Sequence, residues 1–164
     1  MMIFKNTHQN FPKDKDELNL RLAEIEKLIN NTNKNNRSNV DFVLTAFGLM
    51  EDCGLITSDN VRFLTSAQAC MNFNERFRFP RNSSEGALRH VEDDNDVLGA
   101  NGYCRFYDGK SRRVELDGQH YLISNDWYGD NSGYSNKRAF FNWLSIKARQ
   151  ACKERWESPK LSKY

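Results

Sequence analysis

The sequence feature that most constrains the fold is the pair Asp117-Gly118, which lies between two strand-like runs. These runs extend from Arg112 to Leu116 and from Gln119 to Ser124. Asp-Gly is a favoured two-residue hairpin loop because both residues tolerate positive φ. The pair therefore predicts a tight antiparallel hairpin over residues 112–124.

Alternation along this hairpin predicts which side chains face the core. Arg113 and Glu115 fall on one face and are expected to point outward, whereas the other face is apolar. The apolar face carries Val114, Leu116, Tyr121 and Ile123. A second pair, Asp108-Gly109, predicts a less regular turn just before the hairpin.

An amphipathic helix is predicted over residues 14–30, because apolar residues recur at helical spacing on one stripe. The stripe consists of Leu18, Leu22, Ile25 and Ile29. A helix docked on its own domain is the first interpretation. The alternative is a short dimerising coiled coil, which predicts a homodimer through residues 14–30.

Further helices follow the same signals. Ser38 or Asn39 is predicted to cap a helix from Val40 to about Asp52, with Gly54 as its stop. Ser58 is predicted to cap a brief helix through Leu64, and Thr65 or Ser66 another one through about Phe73 or Phe77. A final helix is expected from a Ser135 cap to just before Pro159, with Lys137 on its polar faces.

The connections give the domain organisation. Residues 1–13 are expected to form a mobile lead, the Asn-rich stretch 30–39 a linker, and residues 82–102 an irregular connection. We therefore predict a lead with an N-terminal helix over residues 1–37, one domain over 38–158 and a frayed tail over 159–164. The fold class is α+β, mainly helical with a small antiparallel hairpin sheet.

Charge is unevenly distributed. The net charge of +2, from 24 Lys and Arg against 22 Asp and Glu, does not by itself indicate a polyanionic partner. The first 60 residues hold about 7 basic against 9 acidic residues, whereas residues 137–164 hold about 8 Lys or Arg against 2 Glu. The basic excess therefore lies in the C-terminal part.

The four cysteines, Cys53, Cys70, Cys104 and Cys152, are far apart and form no Cys-x-x-Cys pair. This spacing argues against a zinc ribbon or finger. The sequence shows neither a cleavable signal pattern nor an apolar run of membrane length. We therefore expect a cytoplasmic protein with free thiols and no membrane partner.

The residues that could be combined into catalytic sites are explained more simply by structural roles. Cys104, His120 and Asp126 suggest a nucleophile site, but a strand Cys is commonly a small core residue. Glu115 and Asp117 suggest a nuclease centre, but the turn already explains Asp117. His90 beside the acidic residues 92–96 does not match the spacing of a calcium loop. We predict no catalytic residue, metal ligand or cofactor, and an enzyme is the least favoured class.

Basic residues interleaved with aromatics indicate a different function. The segment from Phe73 to Arg81 alternates phenylalanines with arginines, a pattern that can supply phosphate contacts and apolar anchors together. The predicted phosphate contacts are Arg76, Arg78 and Arg81 in this segment, Lys110, Arg112 and Arg113 on the hairpin, and Lys147 on the final helix.

The order of these elements resembles a winged-helix DNA-binding module of bacterial or phage type. Short helices, a hairpin with basic residues and a basic helix cover roughly residues 40–156. The resemblance implies that a helix enters the major groove and that the hairpin, as a wing, contacts backbone or minor groove. The segments Tyr121–Tyr128 and Phe140–Leu144 are also similar to C-terminal modules of bacterial mobile-element or restriction-associated proteins.

The sequence therefore predicts a non-enzymatic protein that binds duplex DNA. The alternative is a protein-interaction module, such as an inhibitor or adaptor in a bacterial or phage defence or mobile-element system. That alternative relies on aromatic residues being presented to another protein. These residues are Tyr103, Phe106, Tyr107, Tyr121 and Trp127.

Overall fold

The structure is a computed structural model that describes residues 2–30, 37–91, 104–107 and 112–158. Within these residues the chain is α+β, as predicted, with five α-helices and a four-stranded sheet. In chain order the elements are β1 (Met2–Phe4), α1 (Lys15–Lys27), α2 (Arg37–Asp52), α3 (Ser58–Thr65), α4 (Ala67–Phe73), a 3-10 turn (Pro80–Asn82), β2 (Leu88–Val91), β3 (Arg112–Leu116), β4 (Gln119–Ile123) and α5 (Asn136–Glu157).

The predicted hairpin is confirmed as β3 and β4. Asp117 and Gly118 connect the strands with φ angles of 51° and 79°, the left-handed conformation that a two-residue loop requires. Val114 and Ile123 are buried and belong to the main core, whereas Glu115 lies on the opposite face in an ion pair with Lys5. The predicted faces are therefore correct. Asp108 and Gly109 lie outside the described residues.

The sheet contains more strands than the sequence predicted. Its order is β1-β3-β4-β2, so the hairpin occupies the two central positions. β1 pairs in parallel with β3, and its Phe4 is 3% exposed with its ring centroid 5.8 Å from that of Phe47. The prediction of a mobile lead is therefore wrong for Met2–Phe4, and the sheet is mixed rather than antiparallel.

The strand β2 corrects the prediction of an irregular connection over residues 82–102. Leu88 to Val91 pair antiparallel with Ile123 to His120 of β4. Hydrogen bonds to a strand distant in the sequence fix this segment, and its own sequence carries a weak strand signal. Residues 92–103 lie outside the described residues.

Helix α1 packs on its own domain, as the first interpretation predicted. Asp14 caps it by accepting a hydrogen bond from the Glu17 backbone nitrogen at 2.9 Å. The apolar stripe, Leu18, Leu22, Ile25 and Ile29, is buried in the same core as α2 and α5. The surface on which a dimer through residues 14–30 was predicted is therefore occupied within the chain.

Two predicted helix caps are wrong. α2 begins at Arg37, so Ser38 and Asn39 lie inside the helix, and the Asn39 amide donates instead to the Trp127 carbonyl at 3.3 Å. Thr57 rather than Ser58 caps α3, by accepting a hydrogen bond from the Asn60 backbone nitrogen. The predicted cap of α4 is confirmed, because the Ser66 hydroxyl accepts from the Ala69 nitrogen at 3.1 Å.

The first turn of α5 also differs from its prediction. Ser135 precedes the helix but does not cap it with its side chain, since its hydroxyl donates to Asp130 Oδ1 at 2.8 Å. Lys137 was assigned to a polar face, yet it is 3% exposed with Nζ 5.6 Å from the centroid of the Phe42 ring. Burial lowers the pKa of Lys137 to about 8.

An aromatic core joins the helices to the segment that follows β4. Phe140 of α5 is fully buried and lies 5.4 Å from Phe47 and from Trp127 by ring centroids. Phe77 and Phe79 are buried in the same core, as expected for anchors of the segment 73–81.

The cysteines are free, and the Sγ atoms of Cys53 and Cys152 lie 4.0 Å apart. No helix in the described ranges is both long and apolar enough to cross a bilayer.

Candidate nucleic-acid interface

A single buried amide, that of Asn136, joins separate chain segments at the start of α5. Its Oδ1 accepts from the Tyr128 backbone nitrogen at 2.7 Å. Its Nδ2 donates to the carbonyls of Arg78 at 2.9 Å and Asp126 at 2.8 Å. Because Asn136 is fully buried, these bonds fix how the segments around residues 78 and 126–128 lie against each other.

Tyrosines and an arginine form the outer surface above this amide. The guanidinium of Arg78 lies 5.3 Å from the centroid of the Tyr134 ring, the geometry of a cation–π contact. Tyr134 is exposed, and its ring centroid is 5.5 Å from that of Tyr128. The predicted phosphate-binding residue Arg78 is thus held on an aromatic surface that sequence spacing did not indicate.

Arg81 lies at the rim of a cavity of about 340 Å³ beside these tyrosines. Its backbone nitrogen donates to Asp126 Oδ2 at 2.9 Å, while its side chain is exposed. Asp126 is 6% exposed and also hydrogen-bonds Tyr128. Burial, together with this bond, raises the pKa of Tyr128 to about 12, so the phenol stays neutral at physiological pH.

The other side of the cavity is formed by the segment before β3. Tyr107 lines it, and the Arg112 guanidinium lies 4.8 Å from the centroid of the Tyr107 ring. Burial raises the pKa of Tyr107 to about 12, and the positive charge of Arg112 opposes that rise. The positive charge of Arg105 also acts to lower the pKa of Tyr128. Sequence analysis missed Arg105, which lies in an irregular segment without a motif.

We call this set of neighbouring arginines and tyrosines the Arg-Tyr face. It consists of Arg78, Arg81, Arg105, Arg112, Tyr107, Tyr128 and Tyr134. Each arginine is close to a tyrosine, and the residues come from the segments before β2, before β3 and after β4, together with β3 itself. The face can therefore offer positive charge and flat aromatic surface to the same ligand.

The other predicted contacts lie elsewhere. Arg76 is exposed two residues before Arg78, whereas Arg113 lies on the face of the sheet opposite to Val114, near Glu115. Lys147 lies 11 residues along α5 from Asn136, or about 16 Å. Lys110 is outside the described residues. The structure therefore brings together Arg78, Arg81 and Arg112 but not the whole predicted set.

An ion pair next to the face has a testable pH dependence. Asp130 accepts a hydrogen bond from Arg138 at 2.7 Å, which lowers the pKa of the carboxyl to about 2 from 3.8. Arg138 also forms an ion pair with Glu26, and this second pair connects α5 to α1. Because the folded-state pKa of Asp130 is below the unfolded one, the pair stabilises the protein above about pH 4, and this stability is lost as the pH falls toward 2.

We expect Asp130→Asn to lower the free energy of unfolding by about 1 kcal/mol at pH 7, a value reduced for the partial exposure of the pair. The difference from wild type should become much smaller at pH 2, where about half of the folded molecules have Asp130 protonated. Urea unfolding at both pH values measures it. Asp59→Asn is the matched control, because Asp59 pairs with Arg62 at 3.6 Å and is 92% exposed. A constant difference across pH would contradict the assignment.

The catalytic alternatives are not assembled in the described part of the chain. His120 and Ser124 are four strand positions apart, about 13 Å, and Asp126 lies beyond Ser124. Cys104 is exposed, and its carbonyl accepts from the Asn125 amide. Among the described residues, no group of three or more His, Cys, Asp or Glu is arranged to hold a metal ion.

We compared the chain with protein-family models, curated proteins and solved structures. None matches. The winged-helix resemblance therefore stays a prediction that rests on element order. Any functional inference must come from the residues and their geometry, and the Arg-Tyr face with its cavity is the arrangement that best supports one.

Proposed function

We propose that this protein binds nucleic acid, with duplex DNA as its ligand, through the Arg-Tyr face. The observation that carries the proposal is that four arginines from three chain segments lie close to three tyrosines beside the cavity. Phosphate contacts give nucleic-acid binding most of its affinity, and arginine is well suited to them because its planar fork binds phosphate oxygens bidentately.

The charge environment supports the same proposal. The acidic groups closest to the face are engaged by protein groups: Asp126 by the Arg81 backbone and Tyr128, and Asp130 by Arg138. The N-terminus of the 22-residue helix α5 also lies here, and its dipole adds positive potential near Tyr128. Of these two acids, Asp130 is therefore paired with a positive charge, and Asp126 is buried.

Salt dependence tests the proposal. With about four phosphates neutralised, a plot of log affinity against log salt concentration should have a slope of about −3 to −4 for duplex DNA. Fluorescence anisotropy of a labelled 16-base-pair duplex between about 50 and 200 mM salt measures it. Absence of binding at low salt, or binding with a flat slope, would sink the proposal.

The protein-interaction alternative relied on five aromatic residues, and two of them, Phe106 and Trp127, are buried at 1% and 3% exposure. Tyr107 and Tyr121 are half-buried and pack against the core. Tyr103 lies outside the described residues. A partner protein would therefore contact the half-buried tyrosines rather than Phe106 or Trp127. Capture from lysate after nuclease treatment separates the two functions, because partners bridged by DNA are lost and direct partners remain.

A further inference from the structure

The cavity beside the Arg-Tyr face is lined by side chains that phosphate binding does not require. Its volume of about 340 Å³ lies within the range of small-ligand pockets, about 300–1,000 Å³. Val40 of α2 closes one side, and Tyr107 and Tyr128 contribute aromatic surface. Such rings are the usual partners of a nucleobase taken out of its stack.

The polar side chains of the cavity include both hydrogen-bond acceptors and donors. Asp126 contributes a carboxylate and Arg81 a guanidinium. Asn39 and Asn125 also line the cavity, and their amide nitrogens each donate one hydrogen bond, to the carbonyls of Trp127 and Cys104. An amide nitrogen carries two N–H groups, so each side chain keeps one N–H donor and its Oδ1 acceptor for a ligand. Such a cavity favours a planar ligand whose edge carries both donors and acceptors, as the edge of a nucleobase does.

The charges in and around the cavity favour different positions for the base and the phosphate of a nucleotide. A phosphate is repelled by the buried Asp126 carboxylate but attracted by Arg81, which lines the cavity, and by Arg112, which lies over the Tyr107 ring. A base is uncharged, and its edge brings both donors and acceptors to the side chains inside. The cavity is therefore suited to a base within it and a sugar-phosphate backbone along the arginines.

We propose that this cavity binds a single unpaired nucleobase, so that the protein recognises duplex DNA that carries an unpaired nucleotide. The inference rests on the proposed function. A base inside an intact duplex cannot reach the cavity, whereas a bulged nucleotide leaves the stack at low cost.

The test compares a blunt 16-base-pair duplex with the same duplex carrying one bulged nucleotide. We expect the bulged duplex to bind about 10-fold more tightly than the blunt one. Anisotropy at matched salt measures both. Equal affinity for bulged and blunt duplexes would overturn the base site while leaving the proposed function intact, and no salt-dependent binding to either would remove both.

A matched pair of variants locates the effect. Val40→Phe should fill the cavity and abolish the gain from the bulge, with the affinity for blunt duplex and its salt slope unchanged. Val40→Ala should keep the gain. Thermal unfolding checks that both variants fold. Retention of the full gain in Val40→Phe would place the base elsewhere and overturn the proposal.

A second measurement needs no variant. Addition of dGMP to the wild-type protein should shift the backbone amide resonances of Asn125 and Tyr128, whereas inorganic phosphate should leave them unchanged. Both residues line the cavity. Equal shifts with dGMP and phosphate, or none with either, would contradict a base site in the cavity.

Discussion

Asn136→Asp is expected to lower the free energy of unfolding by about 3–5 kcal/mol, a large fraction of the total stability of a domain of this size. The substitution keeps the shape of the side chain but replaces Nδ2 with an oxygen. That oxygen would face the carbonyls of Arg78 and Asp126, which now receive hydrogen bonds at 2.9 and 2.8 Å. Acceptors would oppose acceptors in a fully buried position.

Asn136→Ala should cost about 3 kcal/mol, because it leaves the Tyr128 nitrogen and the carbonyls of Arg78 and Asp126 without their partner but adds no charge. Asn142→Asp is the matched control, since Asn142 lies on the same helix and is exposed. It should change stability by less than about 0.5 kcal/mol. Urea unfolding followed by tryptophan fluorescence measures all three variants. If Asn136→Asp resembled the control, the amide would not hold these segments together.

Replacing Arg78, Arg81 and Arg112 together with Gln is expected to weaken binding to duplex DNA by about 100-fold or more at 100 mM salt. Each substitution removes one phosphate contact of roughly 1 kcal/mol and should make the salt slope shallower by about 1. The backbone bonds that Arg78 and Arg81 make to Asn136 and Asp126 remain, so the fold should be preserved.

A control with the same change in net charge distinguishes the face from general electrostatics. Lys13, Arg62 and Lys153 are exposed and lie away from the face, with Lys153 about 25 Å along α5 from Asn136. Their triple replacement by Gln should reduce affinity only slightly and leave the salt slope unchanged. Equal losses in the two triple variants would mean that net charge, rather than the Arg-Tyr face, governs binding.

The sequence predicts those parts of the fold that are specified by residues close together in the chain. The Asp117-Gly118 turn, the apolar stripe of α1 and the cap at Ser66 are each specified by residues a few positions apart. The strands β1 and β2 could not be predicted in this way. Each is at most four residues long and depends on pairing with β3 or β4. A segment so short forms a strand only when a distant partner supplies its hydrogen bonds.

The candidate site depends on distant parts of the chain even more than the strands do, so less of it could be predicted from the sequence. Arg78, Arg81 and Arg112 were predicted as phosphate contacts from their residue types, but Arg105 and the tyrosines beside them were not. Periodicity also placed Lys137 on a polar face, although the packing around Phe42 buries it. A helical pattern assigns a face relative to the helix axis and does not show what covers that face.

By itself, the sequence determined the turn at Asp117-Gly118, the helices with their apolar stripes and the arginine-rich composition of the segment 73–81. The tertiary structure alone decided that the hairpin lies at the centre of the sheet and that arginines from distant segments share a face with tyrosines and a cavity. The physical reason is that turns and helices are stabilised by neighbours in the chain. The site is instead held by long-range hydrogen bonds, above all those of the buried Asn136 amide.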